Sequence, residues 1–187
     1  NIDKGLYSLY AEKPWRPVSF YIFLFPLMLV SGNSVLFTFA AIHSIALFIT
    51  IIYSYFILRI TDSSKSICLL GSIIIGTLSN SFFPGGTHVF AETMLTPAVL
   101  ATIFHLMQSN YLISKKDSFF ALIAMTICFT VRPIEAIIYL LPIITCFFYF
   151  GLREKVFKLR HIIKIIQFIF ALFLFAAIFK GIDISFD

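Results

Sequence analysis

Glu92 lies inside a long apolar run, with His88 four residues before it and Thr96 four after. On a helix, residues at i, i+4 and i+8 drift slowly around the axis, so the three form one polar stripe. A carboxylate there can take a proton from an acceptor hydroxyl or amine, which is general-base chemistry. Pro97 follows Thr96 and frees the carbonyl of Thr93 for binding. The plainer alternative is an interfacial Glu92 stabilised by the positive end of its own helix. Two residues at i, i+4 do not make a metal site without further ligands, so His88 is the weaker candidate.

Arg132 comes next, immediately before Pro133, a residue suited to the first turn of a helix. Its planar guanidinium matches phosphate oxygens, while Glu135 three residues on offers a local ion-pair partner instead. Arg16 and Lys13 are each followed by proline, which holds their backbone extended. Trp15 and Tyr21 beside them suit a membrane interface, so plain anchoring competes with binding. Cations, a carboxylate and apolar surroundings together fit an anionic lipid-linked substrate.

These side chains need a membrane to position them. The chain of 187 residues is 60% apolar and 12% charged, with mean hydropathy +0.99. Water-soluble domains are only about 45–50% apolar and carry about 25% charge, so the expected class is an all-α, polytopic integral membrane protein. Val18–Val30 is an apolar run of about 13 residues, short of the roughly 20 needed to span, and reads as a juxtamembrane helix. About six transmembrane helices are expected after it: Val35–Leu58, Ser66–Phe82, Thr87–Met107, Ser118–Val131 extended by its neighbours, Ile134–Phe150 and Ile162–Phe179. That parity puts Arg59, Lys65, Lys115, Lys116 and the Arg153–Arg160 cluster on one, cytoplasmic, side. Glu92, Arg132 and Arg16 fall on the other. The formal net charge of +5 thus sits in short loops, as topology signals and lipid contacts, and excludes nucleic acid as a partner.

No repeat, low-complexity tract or linker divides residues 1–187, which read as a single transmembrane domain. A start at Asn1 and a stop at Asp187, soon after an apolar run, lead to the expectation of a partial chain. Cys68, Cys128 and Cys146 stand in apolar sequence, odd in number, and do not suggest a disulfide framework. No CxxC or His/Cys spacing suggests a metal centre. No cofactor is therefore expected, with a divalent metal left open.

The order of these features resembles polytopic glycosyltransferases of the GT-C superfamily, in particular bacterial proteins similar to dolichyl-phosphate-mannose protein mannosyltransferases and aminoarabinose transferases. The carrying residues are Lys13-Pro14-Trp15-Arg16-Pro17-Val18-Ser19-Phe20-Tyr21, then Phe25-Pro26 and Ser31-Gly32-Asn33-Ser34. Tyr53 to Arg59, Pro84, Glu92 and Arg132-Pro133 follow. The resemblance covers residues 10–150 and rests on motif order. It implies sugar transfer from a polyprenyl-phosphate donor to a lipid, glycan or protein acceptor on the outer face. Arg16, or Lys13, would contact the donor phosphate. The family's catalytic carboxylate stands upstream of the proline pair, where this chain has only Asp3 and Glu12, neither in the usual acidic motif. Trp15-Arg16 also separates Pro14 from Pro17. The implied location is a bacterial inner membrane with the active face outside, or alternatively the endoplasmic reticulum membrane. Two rivals remain: a transporter or flippase for an anionic or lipid-linked substrate, and a non-catalytic membrane subunit.

Overall fold

The computed structural model describes residues 26, 29–30, 35–61, 64–81, 89–131, 133–154 and 158–186. Six helices carry the described chain after residue 30: α1 (Val35–Ile60), α2 (Lys65–Ser81), α3 (Val89–Gln108), α4 (Lys115–Val131), α5 (Pro133–Arg153) and α6 (Leu159–Phe186). The all-α expectation holds for these residues, which contain no strand. The juxtamembrane helix expected over Val18–Val30 lies outside the described residues, apart from helical Pro26, Leu29 and Val30.

The expectation of about six spans is corrected. Among the described residues, only Ala40–Ile60 and Ile134–Arg153 are long and apolar enough to cross a membrane. The others fall short for identifiable reasons. Helices α2 and α4 have 17 residues each, about 25 Å of rise against a hydrocarbon core of ~30 Å. Helices α3 and α6 are 20 and 28 residues long, and what falls short in them is the apolar stretch among the described residues, Met94–Gln108 and His161–Phe175. The two long helices are only 22% and 17% buried. That exposure distinguishes them from the core helix of a water-soluble domain. Their outer faces carry Phe37, Phe48, Ile138 and Leu141, all exposed.

Small residues bring the helices together. Cys68, Ser72 and Gly76 repeat every four residues down one face of α2, and all three are buried. A Cβ at Gly76 would lie 2.6 Å from Ile51 Cγ1 and 3.2 Å from Leu47 Cδ1, so α1 and α2 approach as closely as glycine permits. Buried hydroxyls that would otherwise need partners bond back to their own helices. Thr50, Thr102, Thr126 and Thr130 each donate to the carbonyl four residues earlier, at 2.8 Å.

Two apolar clusters fix the directions of the helices. At one end Leu95 and Ala98 of α3 meet Met125 and Cys128 of α4 and Ala136 and Leu140 of α5. At the other, Leu106, Leu112 and Ala121 meet Ile143, Phe147 and Ile165. Helices α3 and α4 therefore form an antiparallel hairpin, and α5 runs parallel to α3. Tyr53 and Phe56 near the end of α1 pack on His105 and Phe104 near the end of α3, so the C-terminal ends of α1 and α3 lie together.

Candidate functional site

The expected cluster divides between described and undescribed residues. Asp3, Glu12, Lys13, Arg16, His88 and Arg132 lie outside the described residues. Glu92 is the fourth residue of α3, one turn before Leu95. Thr96 is half-buried in the same helix, and Pro97, buried, follows within it. Pro133 takes the first position of α5, the place its fixed φ favours. Glu135 is half-buried in the first turn, where the positive helix end favours a carboxylate. Because α3 and α5 are parallel, the turns holding Glu92 and Glu135 share one end of the bundle.

The opposite end holds a polar network that the sequence reading did not single out. It is built on the α3–α4 turn. Ser109 donates its hydroxyl to the Leu106 carbonyl at 2.7 Å and accepts the Leu112 amide at 3.1 Å. Asn110, Tyr111 and Leu112 are all left-handed, with φ of 48°, 56° and 68°. None is glycine, so the turn is strained. Ser114 then caps α4: its Oγ accepts the Asp117 amide at 3.4 Å and its hydroxyl donates to Asp117 Oδ2 at 2.6 Å.

That cap aims the second carboxylate oxygen inward. Asp117 Oδ1 lies 3.1 Å from His105 Nδ1, and His105 Nε2 lies 3.1 Å from the Tyr53 hydroxyl. Three helices are thereby joined through one buried imidazole. Phe120 stacks on the ring at 5.1 Å and Phe104 meets it edge-on at 5.1 Å. The Ser114 hydroxyl, and after it His105, hold the Asp117 carboxyl below its ordinary range, against an opposing effect of burial. A carboxylate only accepts, so Nδ1 carries a hydrogen. In a neutral ring Nε2 then accepts from Tyr53; in a charged ring it donates to the tyrosine oxygen. Either way the geometry suits proton movement along Asp117, His105 and Tyr53.

Beside this network is a cavity of about 200 Å³ between α1, α3 and α4. Tyr53, His105 and Phe120 line it at one end, and Pro97 and Met94 at the other. It thus extends along α3 from the turn after Glu92 to the imidazole. The sequence did carry a partial signal for the network. Ser114-Lys115-Lys116-Asp117 is a capping pattern, and His105 is a polar residue inside the end of an apolar run that closes at Met107. Nothing local, however, pairs His105 with Tyr53 across 52 residues.

Among the described residues, no group of three or more His, Cys, Asp or Glu side chains is placed to hold a metal ion. No protein-family model, curated protein or solved structure matches this chain.

Proposed function

We propose that the chain is a membrane-embedded glycosyltransferase that moves a sugar from a polyprenyl-phosphate donor to an acceptor on the non-cytoplasmic face. One observation carries the reading: parallel packing of α3 and α5 gives the Glu92 turn and the turn following Arg132 a common end. In the proposed inverting displacement, a carboxylate takes the proton of the acceptor hydroxyl or amine. The acceptor atom bonds to the anomeric carbon, the carbon–oxygen bond to phosphate breaks, and the lipid phosphate leaves with the electron pair. Arg132 and Arg16 balance its charge. Glu92 is the proposed carboxylate, with Asp3 and Glu12 as alternatives.

Charge supports the orientation. Both membrane-length helices finish at arginines, Arg59 and Arg153, and the same end carries Lys65, Lys115, Lys116 and Lys158. The positive-inside tendency assigns that end to the cytoplasm and the Glu92 end to the exterior. A bacterial plasma membrane is the proposed location, with the endoplasmic reticulum as the alternative.

The test uses the full chain in vesicles with a radiolabelled polyprenyl-phosphate sugar. Glu92→Gln, and Arg16→Gln with Arg132→Gln, should each lower transfer by roughly a hundredfold or more. Undiminished transfer in the double arginine variant would sink the assigned roles. The Asp117–His105–Tyr53 chain favours a second reading, a proton-coupled transporter or flippase. Vesicles separate the two: substrate crossing the bilayer without covalent change, and dependent on a proton gradient, supports the transporter.

A further inference from the structure

A second and larger recess lies on the other side of α3. It is a groove of about 650 Å³ between α3 and α5, walled by Ile103 and Met107 on one side and by Ile143, Cys146 and Phe150 on the other. Its polar groups gather at the hairpin end, where Asn110, Tyr111 and Glu154 stand. The Tyr111 hydroxyl donates to Glu154 Oε2 at 3.2 Å, and its ring rests against Phe147 at 5.2 Å. The left-handed run Asn110–Leu112 is what delivers that ring to the mouth. Backbone strain of this kind collects at ligand clamps.

The charges at the mouth specify an occupant. Glu154 follows the last residue of α5, where the helix presents the negative end of its dipole. A carboxylate there adds to that negative end, and among the described residues the tyrosine hydroxyl answers it with a neutral donor. An ammonium group would meet the carboxylate, the terminal carbonyls of α5 and the side-chain oxygens of Asn110 and Tyr111. Arg153, the residue before Glu154, is exposed and offers a cation to a phosphate. The rest of the groove is apolar and lies along one of the two membrane-length helices, whose neighbouring residues Ile137, Ile138 and Leu141 are exposed. Cation, anion and hydrocarbon in that order describe an aminophospholipid.

We propose that the α3–α5 groove binds a glycerophospholipid with an ethanolamine headgroup, one acyl chain lying between Met107 and Cys146 and the ammonium at Glu154. Ethanolamine is favoured over choline because a primary ammonium has three hydrogens to donate and a quaternary one has none. It is favoured over glycerol because a glycerol head has only neutral hydroxyls and brings no positive charge to Glu154. The site is independent of the transfer reaction proposed above.

The test places the full chain in bilayer nanodiscs containing trace phosphatidylethanolamine, phosphatidylcholine or phosphatidylglycerol, each with the same diazirine-bearing acyl chain. After irradiation, crosslinked peptides are mapped by mass spectrometry. Peptides covering residues 103–111 and 142–154 should carry several-fold more label from the ethanolamine lipid than from the other two. The exposed Phe48 region of α1 should show no headgroup preference. Glu154→Gln should abolish the preference, and Met107→Trp should lower groove labelling for all three lipids. Equal groove labelling by the three wild-type samples overturns the headgroup assignment. Groove labelling no higher than that around Phe48 overturns the site itself. The wild-type comparison decides both points without any variant.

Discussion

The two ends of the α3–α4–α5 bundle are held in different ways. At the hairpin end, described side chains form a chain of polar contacts: Ser114 to Asp117, Asp117 to His105, His105 to Tyr53. At the Glu92 end, the described packing consists of small and apolar residues, Leu95, Ala98, Cys128, Ala136 and Leu140. In hydrocarbon there is little hydrophobic drive between helices, so close van der Waals fit and hydrogen bonds must hold them. Among the described residues, directional bonds join the helices at the hairpin end, while the apolar cluster toward the Glu92 end packs by shape.

This contrast breaks most readily at Asp117. Replacing it with Ala leaves the buried His105 N–H without its acceptor and should cost about 2 kcal/mol. The Asp117 side chain is 23% exposed, so water offsets part of the loss and a larger effect is not expected. Thermal unfolding in detergent should show the drop, with Asp117→Asn losing less because its amide oxygen still accepts. The same residue gives an acid signature. Its folded carboxyl titrates below the unfolded value of 3.8, so its contribution is complete above that value and is lost as pH falls through the lower, folded one. Melting temperature against pH should therefore fall less steeply on the acid side for Asp117→Asn than for the wild type. Parallel curves would show that the carboxylate is not held by the network.

Ser114→Ala removes the cap of α4 together with one Asp117 contact, and about 1 kcal/mol should be lost. Tyr53→Phe keeps the ring against Phe104 and deletes only the hydroxyl, for a loss of roughly 0.5–1 kcal/mol. Glu92→Gln should leave the melting curve almost unchanged while lowering transfer. A Glu92 variant that melts as early as Asp117→Ala would erase the distinction between the ends.

Much of this architecture is legible in the residues. The breaks around Arg59–Lys65, Gln108–Asp117 and Arg132-Pro133 separate helices in the structure, because proline, serine and clustered charge interrupt apolar runs there. Span length was less legible. Ser66–Phe82 counts 17 residues and Ser118–Val131 reaches that length only with its neighbours, so it is apolar character rather than length that suggests crossing, and the helices formed there have 17 residues each. Composition reports the solvent a helix prefers, while rise decides whether it reaches across. The candidate site was legible only in part. Glu92 and Glu135 stand out because charge is rare in apolar sequence. Tyr53, His105 and Asp117 do not, because each has an ordinary local role as an interfacial aromatic, a helix-end histidine and a capping acid. Their joint role is tertiary.

The network also sets an order of assembly. Its two inner contacts differ in reach: His105 and Asp117 are 12 residues apart, whereas His105 and Tyr53 are 52 apart. Closing the longer loop costs about 1.3 kcal/mol more in chain entropy, a little over two doublings of length. The α3–α4 hairpin should accordingly form first, already presenting an oriented imidazole. Helix α1 then docks onto it, with the tyrosine hydroxyl as the last bond made and the first to open.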